Sequence, residues 1–252
     1  MIRKTFAWLL VSGLACSAAW AQTADDIVAK HIQAMGGMEK IKAVQGVRLT
    51  GKMSAQGMEF PFTTEIVRPN KVRTEFTVQG MTGVQAFDGE KGWMLMPFMG
   101  KKDPEEMPSD QLQRMRDDAD IDGVLVDYKD KGSKLELLGK EDLEGSPAYK
   151  MRLTKKNGDV LTLFLDAESH LLLKQISKID MMGQEVEGET TFGNFKDVGG
   201  MMFPHSMDSK AAGQPGGMAM TIDKVEINPT IDTTRFSMPK VEKPAAPAPP
   251  KQ

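Results

Sequence analysis

Met81-Thr82-Gly83-Val84-Gln85-Ala86-Phe87-Asp88-Gly89-Glu90-Lys91-Gly92-Trp93-Met94-Leu95-Met96-Pro97-Phe98 contains two β-rich runs, Met81 to Phe87 and Gly92 to Phe98. They are joined by a polar turn whose glycine is free to take positive φ. The pair predicts a β-hairpin. Directly after it the pattern breaks: Asp103-Pro104-Glu105-Glu106 places an N-cap, a first-turn proline and acids in the order that starts a helix. Pro108 ends that turn and Ser109 is placed to cap a second helix, in which Leu112, Met115 and Ala119 fall on one apolar face. A hairpin followed by small amphipathic helices, within a longer run of strands, predicts a half-barrel with a lid.

The chain before this stretch opens with a helix. Thr23 and Asp26 make a capping-box pattern, Ile27, Val28, His31, Ile32 and Met35 form its buried stripe, and Gly36-Gly37 stops it. A short helix from Met38 to Val44 follows. The period then changes to two, with strands expected at 47–55, 58–67, 71–78, 81–87 and 92–98. After the helical insertion they resume at 134–143, 148–155, 160–165, 171–181, 184–195, 202–209 and 218–227. Asn157-Gly158 suits a type I′ hairpin turn. Connections this short leave no room for crossover helices, so neighbours pair antiparallel in a meander. The fold class is mainly β with small helices (α+β): an incomplete antiparallel β-barrel of about 11–12 strands with a helical lid and an N-terminal helix.

Residues 1–21 read as an export signal. Arg3 and Lys4 supply the positive end, Phe6 to Leu14 the apolar core and Ala19-Trp20-Ala21 the cleavage site. The competing reading, a lipidated Cys16, meets a poor lipobox in Gly13-Leu14-Ala15. A mature chain beginning at Gln22 is expected in the periplasm, with one half-barrel domain over 22–238 and a Pro/Ala-rich disordered tail over 239–252. Taking Arg3 and Lys4 from the 32 basic residues leaves 30 against 35 acids, a net charge of −5. With no basic cluster interleaved with aromatics, nucleic acid is not an expected partner. The one cysteine lies in the leader, so neither disulfide nor thiol chemistry is expected of the exported domain.

Alternation on the strands nominates an apolar concave face: Phe60, Phe62, Ile66, Val72, Phe76, Trp93, Leu95, Met151 and Leu163, with Leu112 and Met115 facing it from the lid. About twelve strands enclose more interior than their own side chains fill, which predicts a cavity. Excluding Met1, 19 methionines remain, and thioethers suit surfaces that accept variable apolar ligands. A second reading of them is Cu(I) carriage, through Met94 with Met96, Met218 with Met220, and His31 with Met35. Asp118, Asp120 and Asp122, followed by Gly123, match the first half of a Ca²⁺ loop, but Lys129 stands where the bidentate acid belongs. There is no zinc-protease, nucleophile-elbow or phosphate-loop motif, so no catalytic residue, no cofactor and no enzyme activity is expected.

Several segments together resemble the LolA-like group of outer-membrane lipoprotein-sorting proteins (LolA, LolB and LppX-type lipoprotein carriers). They are Met35-Gly36-Gly37-Met38-Glu39-Lys40-Ile41, Val67-Arg68-Pro69-Asn70-Lys71-Val72-Arg73, Ala86 to Trp93, Leu138-Gly139-Lys140-Glu141 with Gly145 to Lys150, and Gly199-Gly200-Met201-Met202-Phe203-Pro204. The resemblance implies an incomplete barrel capped by helices whose interior holds acyl chains, and hence a monomeric periplasmic carrier. Its cargo would be a lipidated protein or a lipid, taken from a membrane-bound donor protein and passed to an acceptor. It also implies a gating arginine, for which Arg48, Arg68 and Arg73 are open candidates. The rival class is an envelope sensor of lipid or stress built on the same half-barrel.

Overall fold

The computed structural model describes residues 22–181, 184–212 and 216–240, apart from the side chains of 110, 179–181 and 184–186. The leader, Cys16 and all but the first two residues of the expected tail lie outside the described residues.

The chain begins with α1 (Ala24–Ala34), whose capping box forms as expected: Asp26 N donates to the Thr23 hydroxyl and Thr23 N to the Asp26 carboxylate. Gly36 then turns the chain at φ 119°, where a Cβ would come within 2.6 Å of the Gly200 carbonyl. α2 (Met38–Ala43) follows. The strands are β1 (Gly46–Ala55), β2 (Met58–Val67), β3 (Lys71–Val78), β4 (Met81–Phe87), β5 (Gly92–Met96) and β6 (Lys101–Glu106). After α3 (Ser109–Asp118) come β7 (Lys134–Leu143), β8 (Ser146–Thr154), β9 (Val160–Asp166), β10 (Leu172–Met181) and β11 (Gln184–Gly193). The small strands β12 (Lys196–Val198) and β13 (Met201–Phe203) form a side hairpin before β14 (Ser206–Ala211) and β15 (Met218–Ile227).

Thirteen strands make one curved antiparallel sheet in the order β6-β5-β4-β3-β2-β1-β15-β14-β11-β10-β9-β8-β7. Non-sequential pairing of β1 with β15 and of β11 with β14 joins two meanders, and the sheet stays open between β6 and β7. The fold is therefore an incomplete antiparallel barrel with helices, as the alternation predicts.

Three local expectations are corrected. Asp103-Pro104-Glu105-Glu106 does not start a helix: it lies in β6, paired Trp93↔Glu106 and Met94↔Glu105. The unpaired edge of β5 outweighs the local capping signal, and lysines, acids and a proline are what a terminal edge strand tolerates. One helix remains in the insertion, starting at Ser109 with Pro108 as its cap position. The expected strand 202–209 breaks at Pro204-His205, where β13 leaves and β14 enters the main sheet. At Asn157-Gly158 only the glycine takes positive φ, at 95°, and Gly158 N bonds the Lys155 carbonyl at 3.0 Å, so the turn is longer than a two-residue type I′ loop.

Two large packed clusters fill the helix-bearing end of the concave face. Ile27 and Val28 of α1, with Leu125 and Tyr128, cover Tyr149, Met151 and Leu153 of β8 and Leu161, Leu163 and Leu165 of β9. Ile41, Val44 and Val126 cover Val47, Phe62, Ile222 and Val225. A third cluster joins Met115 of α3 and Ala119 just after it, with Leu112 beside them, to Val72, Phe87 and Met107.

Candidate functional site

Register decides which face each strand residue occupies. Ala55 pairs with Met58 and Met53 with Phe60; Phe62 pairs with Phe76, and Phe76 with Gly83; Val78 pairs with Met81. Across the β1–β15 join, Met53 pairs with Met220 and Ala55 with Met218, and Met207 pairs with Met220 in turn. These residues share the concave face, because cross-strand partners point the same way and the side-chain period is two.

At the end of the sheet away from α1 and α2 this apolar face is left open. Phe60, Phe76 and Phe98 make a ladder of rings, with centroids 6.1 Å apart for Phe60–Phe76 and 5.7 Å for Phe76–Phe98. Gly83 makes the ladder possible, since a Cβ there would lie 2.8–2.9 Å from both the Phe76 and Phe98 rings. Beyond the ladder, the starts of β2, β4 and β15 and the turn between β5 and β6 present Met58, Met81, Met218 and Met99 as an exposed rim. We call this end the mouth.

The residues nominated from sequence divide into four groups. Phe60 and Phe76 are half-buried at the mouth. Phe62, Val72, Met115, Met151 and Leu163 lie on the concave side but are packed under the helices, Met151 and Leu163 with no exposed surface. Ile66 and Leu112 are half-buried beside that packing. Trp93 and Leu95 are on the opposite, convex face, because Ala86 pairs with Trp93 and Arg73 with Ala86. There Trp93 Nε1 donates to the Phe236 carbonyl at 2.7 Å and Arg73 lies over its ring. Sequence reasoning missed Phe98, Met53, Met207 and Gly83; the available signal was strand alternation, which in β4 places Gly83 on the row of Met81.

The same parity separates the three arginines. Arg48 and Arg73 point to the convex face: Arg48 binds Glu65 at 2.9 Å and the Thr230 carbonyl, and Arg73 binds Glu75 and the Arg235 carbonyl. Arg235 completes this network by donating to Glu65 and Glu75, which fastens the segment after β15 across the convex face with Phe236 fully buried. Arg68, just past β2, turns to the helical side. Its guanidinium donates to the Val44 carbonyl at 2.5 Å, to the Ile41 carbonyl at 3.0 Å and to both Asp122 oxygens. Lys42 reaches the same carboxylate at 2.6 Å and also Asp127. Burial pushes the Asp122 carboxyl up, but Arg68 and Lys42 outweigh it and hold it below the ordinary carboxylate value. The pinned segment carries Ile121, Leu125 and Val126 into the packed clusters.

Two of the three acids nominated for Ca²⁺ are thus committed to protein cations, and Asp118, the last residue of α3, is not among them. Asp122 is on Arg68 and Lys42, and Asp120 on Lys131 at 2.6 Å. Among the described residues no three His, Cys, Asp or Glu side chains converge to hold a metal. The soft-donor pairs are scattered too: Met94 and Met96 on β5, Met218 and Met220 at the mouth, and His31 buried with Nδ1–H on the His170 carbonyl at 2.9 Å. A cleft of about 810 Å³ beside the β14–β15 end is lined by Glu189, Asp208, Lys210 and Thr191 on one side and by Ala55 and Met218 on the other, so it adjoins the mouth at the rim.

No protein-family profile matches this sequence, and no curated protein matches it. Solved structures do. A LolA superfamily protein from Nitrosomonas europaea superposes with a TM-score of 0.59 at 14% identity, over 86% of this chain and 98% of that one. The fold is LolA-like. A DUF1329 family protein from Desulfovibrio piger matches at TM-score 0.58 and 10% identity, over 86% of this chain and 98% of its own. An outer membrane lipoprotein-sorting protein domain from Vibrio parahaemolyticus matches at 0.55 and 12%, over 84% and 94%. At these identities the LolA-like architecture is what is shared, and cargo is not inherited from it.

Proposed function

We propose that this protein is a periplasmic carrier that shelters the acyl chains of a lipoprotein or lipid while they cross to the outer membrane. The observation that carries the reading is the apolar concave row running out of the packed core, through Phe76 and Phe60, to the open methionine mouth. An acyl chain of about sixteen carbons needs roughly 12 kcal/mol of shelter at about 0.8 kcal/mol per buried CH₂. An apolar groove meets that need without chemistry, and no enzyme activity is assigned.

The mouth alone is shorter than a long chain. Further apolar surface lies under the 121–128 segment, where Leu125 and Val126 occupy the concave side. Arg68 is the arginine that fastens this segment, so it takes the gating role: releasing Asp122 frees the segment and extends the groove. The partners are a membrane-bound donor and acceptor, with the carrier acting as a monomer between them. Native mass spectrometry of protein purified from its own host tests the reading. A co-purified acylated molecule is the expected result; protein that emerges empty and fails to bind a fluorescent long-chain fatty acid would refute it.

A further inference from the structure

We propose that Met58, Met81, Met99 and Met218 form a reversible oxidation site, at which conversion to sulfoxides closes the mouth to apolar cargo. The inference rests on the carrier reading above and adds to it a control that the reading does not require.

Nineteen methionines follow Met1, and they differ sharply in access. Met53, Met151 and Met201 keep 7%, 0% and 7% of their surface. The four rim residues keep 49%, 38%, 69% and 40%, in the order Met58, Met81, Met99, Met218. Their placement is not scattered. Met58, Met81 and Met218 each begin a strand at the same end of the sheet, and Met99 lies in the turn between β5 and β6 at that end. Met58, Met81 and Met218 also belong to the concave rows, by their pairing with Ala55, Val78 and Ala55 respectively. An acyl chain entering over Phe60 and Phe76 therefore passes thioethers at the starts of three strands.

Leucine would serve as apolar lining equally well but is inert to oxidants. A thioether sulfur attacks one oxygen of hydrogen peroxide. An S–O bond forms, the O–O bond breaks, and the second oxygen leaves as water after taking up the proton that the attacked oxygen gives up. Sulfur loses two electrons and the oxidant gains them. The product carries a strong dipole whose oxygen demands water, so a sulfoxide in contact with hydrocarbon leaves an unsatisfied acceptor. A dithiol reductase returns the thioether, releasing the oxygen as water while its own thiols become a disulfide. Met38 in α2 and Met238 after the convex-face segment are equally open, at 39% and 40%, but stand away from the mouth, and so serve as internal controls.

The test uses the mature protein, limiting hydrogen peroxide, peptide mass mapping and a fluorescent long-chain fatty acid. Sulfoxides are expected first at the rim and at the two control methionines. Affinity for the probe should fall by about tenfold and return on treatment with methionine sulfoxide reductase. In a variant with Met58, Met81, Met99 and Met218 all changed to Leu, the probe affinity measured before oxidation, whatever its value, should stay within about twofold after it. A variant with Met38→Leu and Met238→Leu should still lose affinity. Retained binding after full rim oxidation, or oxidant sensitivity that persists in the four-leucine variant, would overturn the inference and leave the carrier reading intact. A reduced parent that does not bind the probe removes both.

Discussion

Arg68 and Asp122 stand 54 positions apart and meet through both carboxylate oxygens, while the same guanidinium caps the Ile41 and Val44 carbonyls at the end of α2. One side chain thus ties a strand end, a helix end and the segment that fills the concave face. Asp122 keeps only 7% of its side-chain surface, so removing its partner strands a nearly buried charge. Arg68→Ala should cost about 2 kcal/mol of stability, less than a fully buried pair because Lys42 still reaches the carboxylate. Hydrogen exchange should accelerate over 121–128, and capacity for a fluorescent fatty acid should rise. Lower stability with unchanged capacity would make Arg68 a structural clamp and not a gate.

Two groups, His31 and Asp122, each make a pH-dependent contribution to stability. Burial holds the His31 imidazole below its ordinary 6.5, so between the folded value and 6.5 the unfolded chain takes up a proton that the folded chain refuses. Its contribution to stability is therefore full above 6.5 and is lost as pH drops below that value. Asp122 is held below 3.8, so its contribution is present above 3.8 and is lost as pH falls through the folded value. Melting temperatures measured from pH 7 down to about 3 should show both declines, with His31→Gln flattening the upper one and Asp122→Asn the lower. An upper decline that survives His31→Gln would assign it to another group.

Phe62 and Phe76 are directly paired across β2 and β3, yet they differ in surroundings. Phe62 keeps 3% of its surface under α2 and Val126, whereas Phe76 lies half-buried in the mouth. Phe62→Glu buries a charge and should destabilise by more than about 3 kcal/mol or prevent folding. Phe76→Glu can keep its carboxylate in water, so circular dichroism should stay native while fatty-acid binding is lost. Equal unfolding by both would mean that the mouth is packed core.

Phe236 has no exposed surface, and its carbonyl accepts from Trp93 Nε1 while Arg235 bridges Glu65 and Glu75. Phe236→Ala should cost about 3–4 kcal/mol through lost burial and the cavity left behind. Arg235→Ala should cost less, since Arg48 still satisfies Glu65 and Arg73 still satisfies Glu75. Denaturant midpoints decide this ordering; the reverse order would make the ion network, and not the phenylalanine, the anchor of the segment.

What the sequence determined by itself is local and periodic. Alternation of two located the main strands within a residue or two, the Thr23–Asp26 box located α1, and Leu112, Met115 and Ala119 correctly marked the packed face of α3. The tertiary structure decided whatever depends on a partner distant in the chain. Trp93 and Leu95 share a face, as alternation says, but which face follows from the pairing of Phe87 with Gly92, and that register puts Met94 inside and Trp93 outside. Asp103 to Glu106 carries a helix-start signal, yet the open edge of β5 recruits it as a strand, because ladder hydrogen bonds along an existing sheet outweigh one capped turn. Arg48, Arg68 and Arg73 are alike in sequence and are told apart only by where the sheet turns each one. Periodicity fixes side chains relative to their own strand; register and closure fix that strand relative to all the others, and only the second places a site.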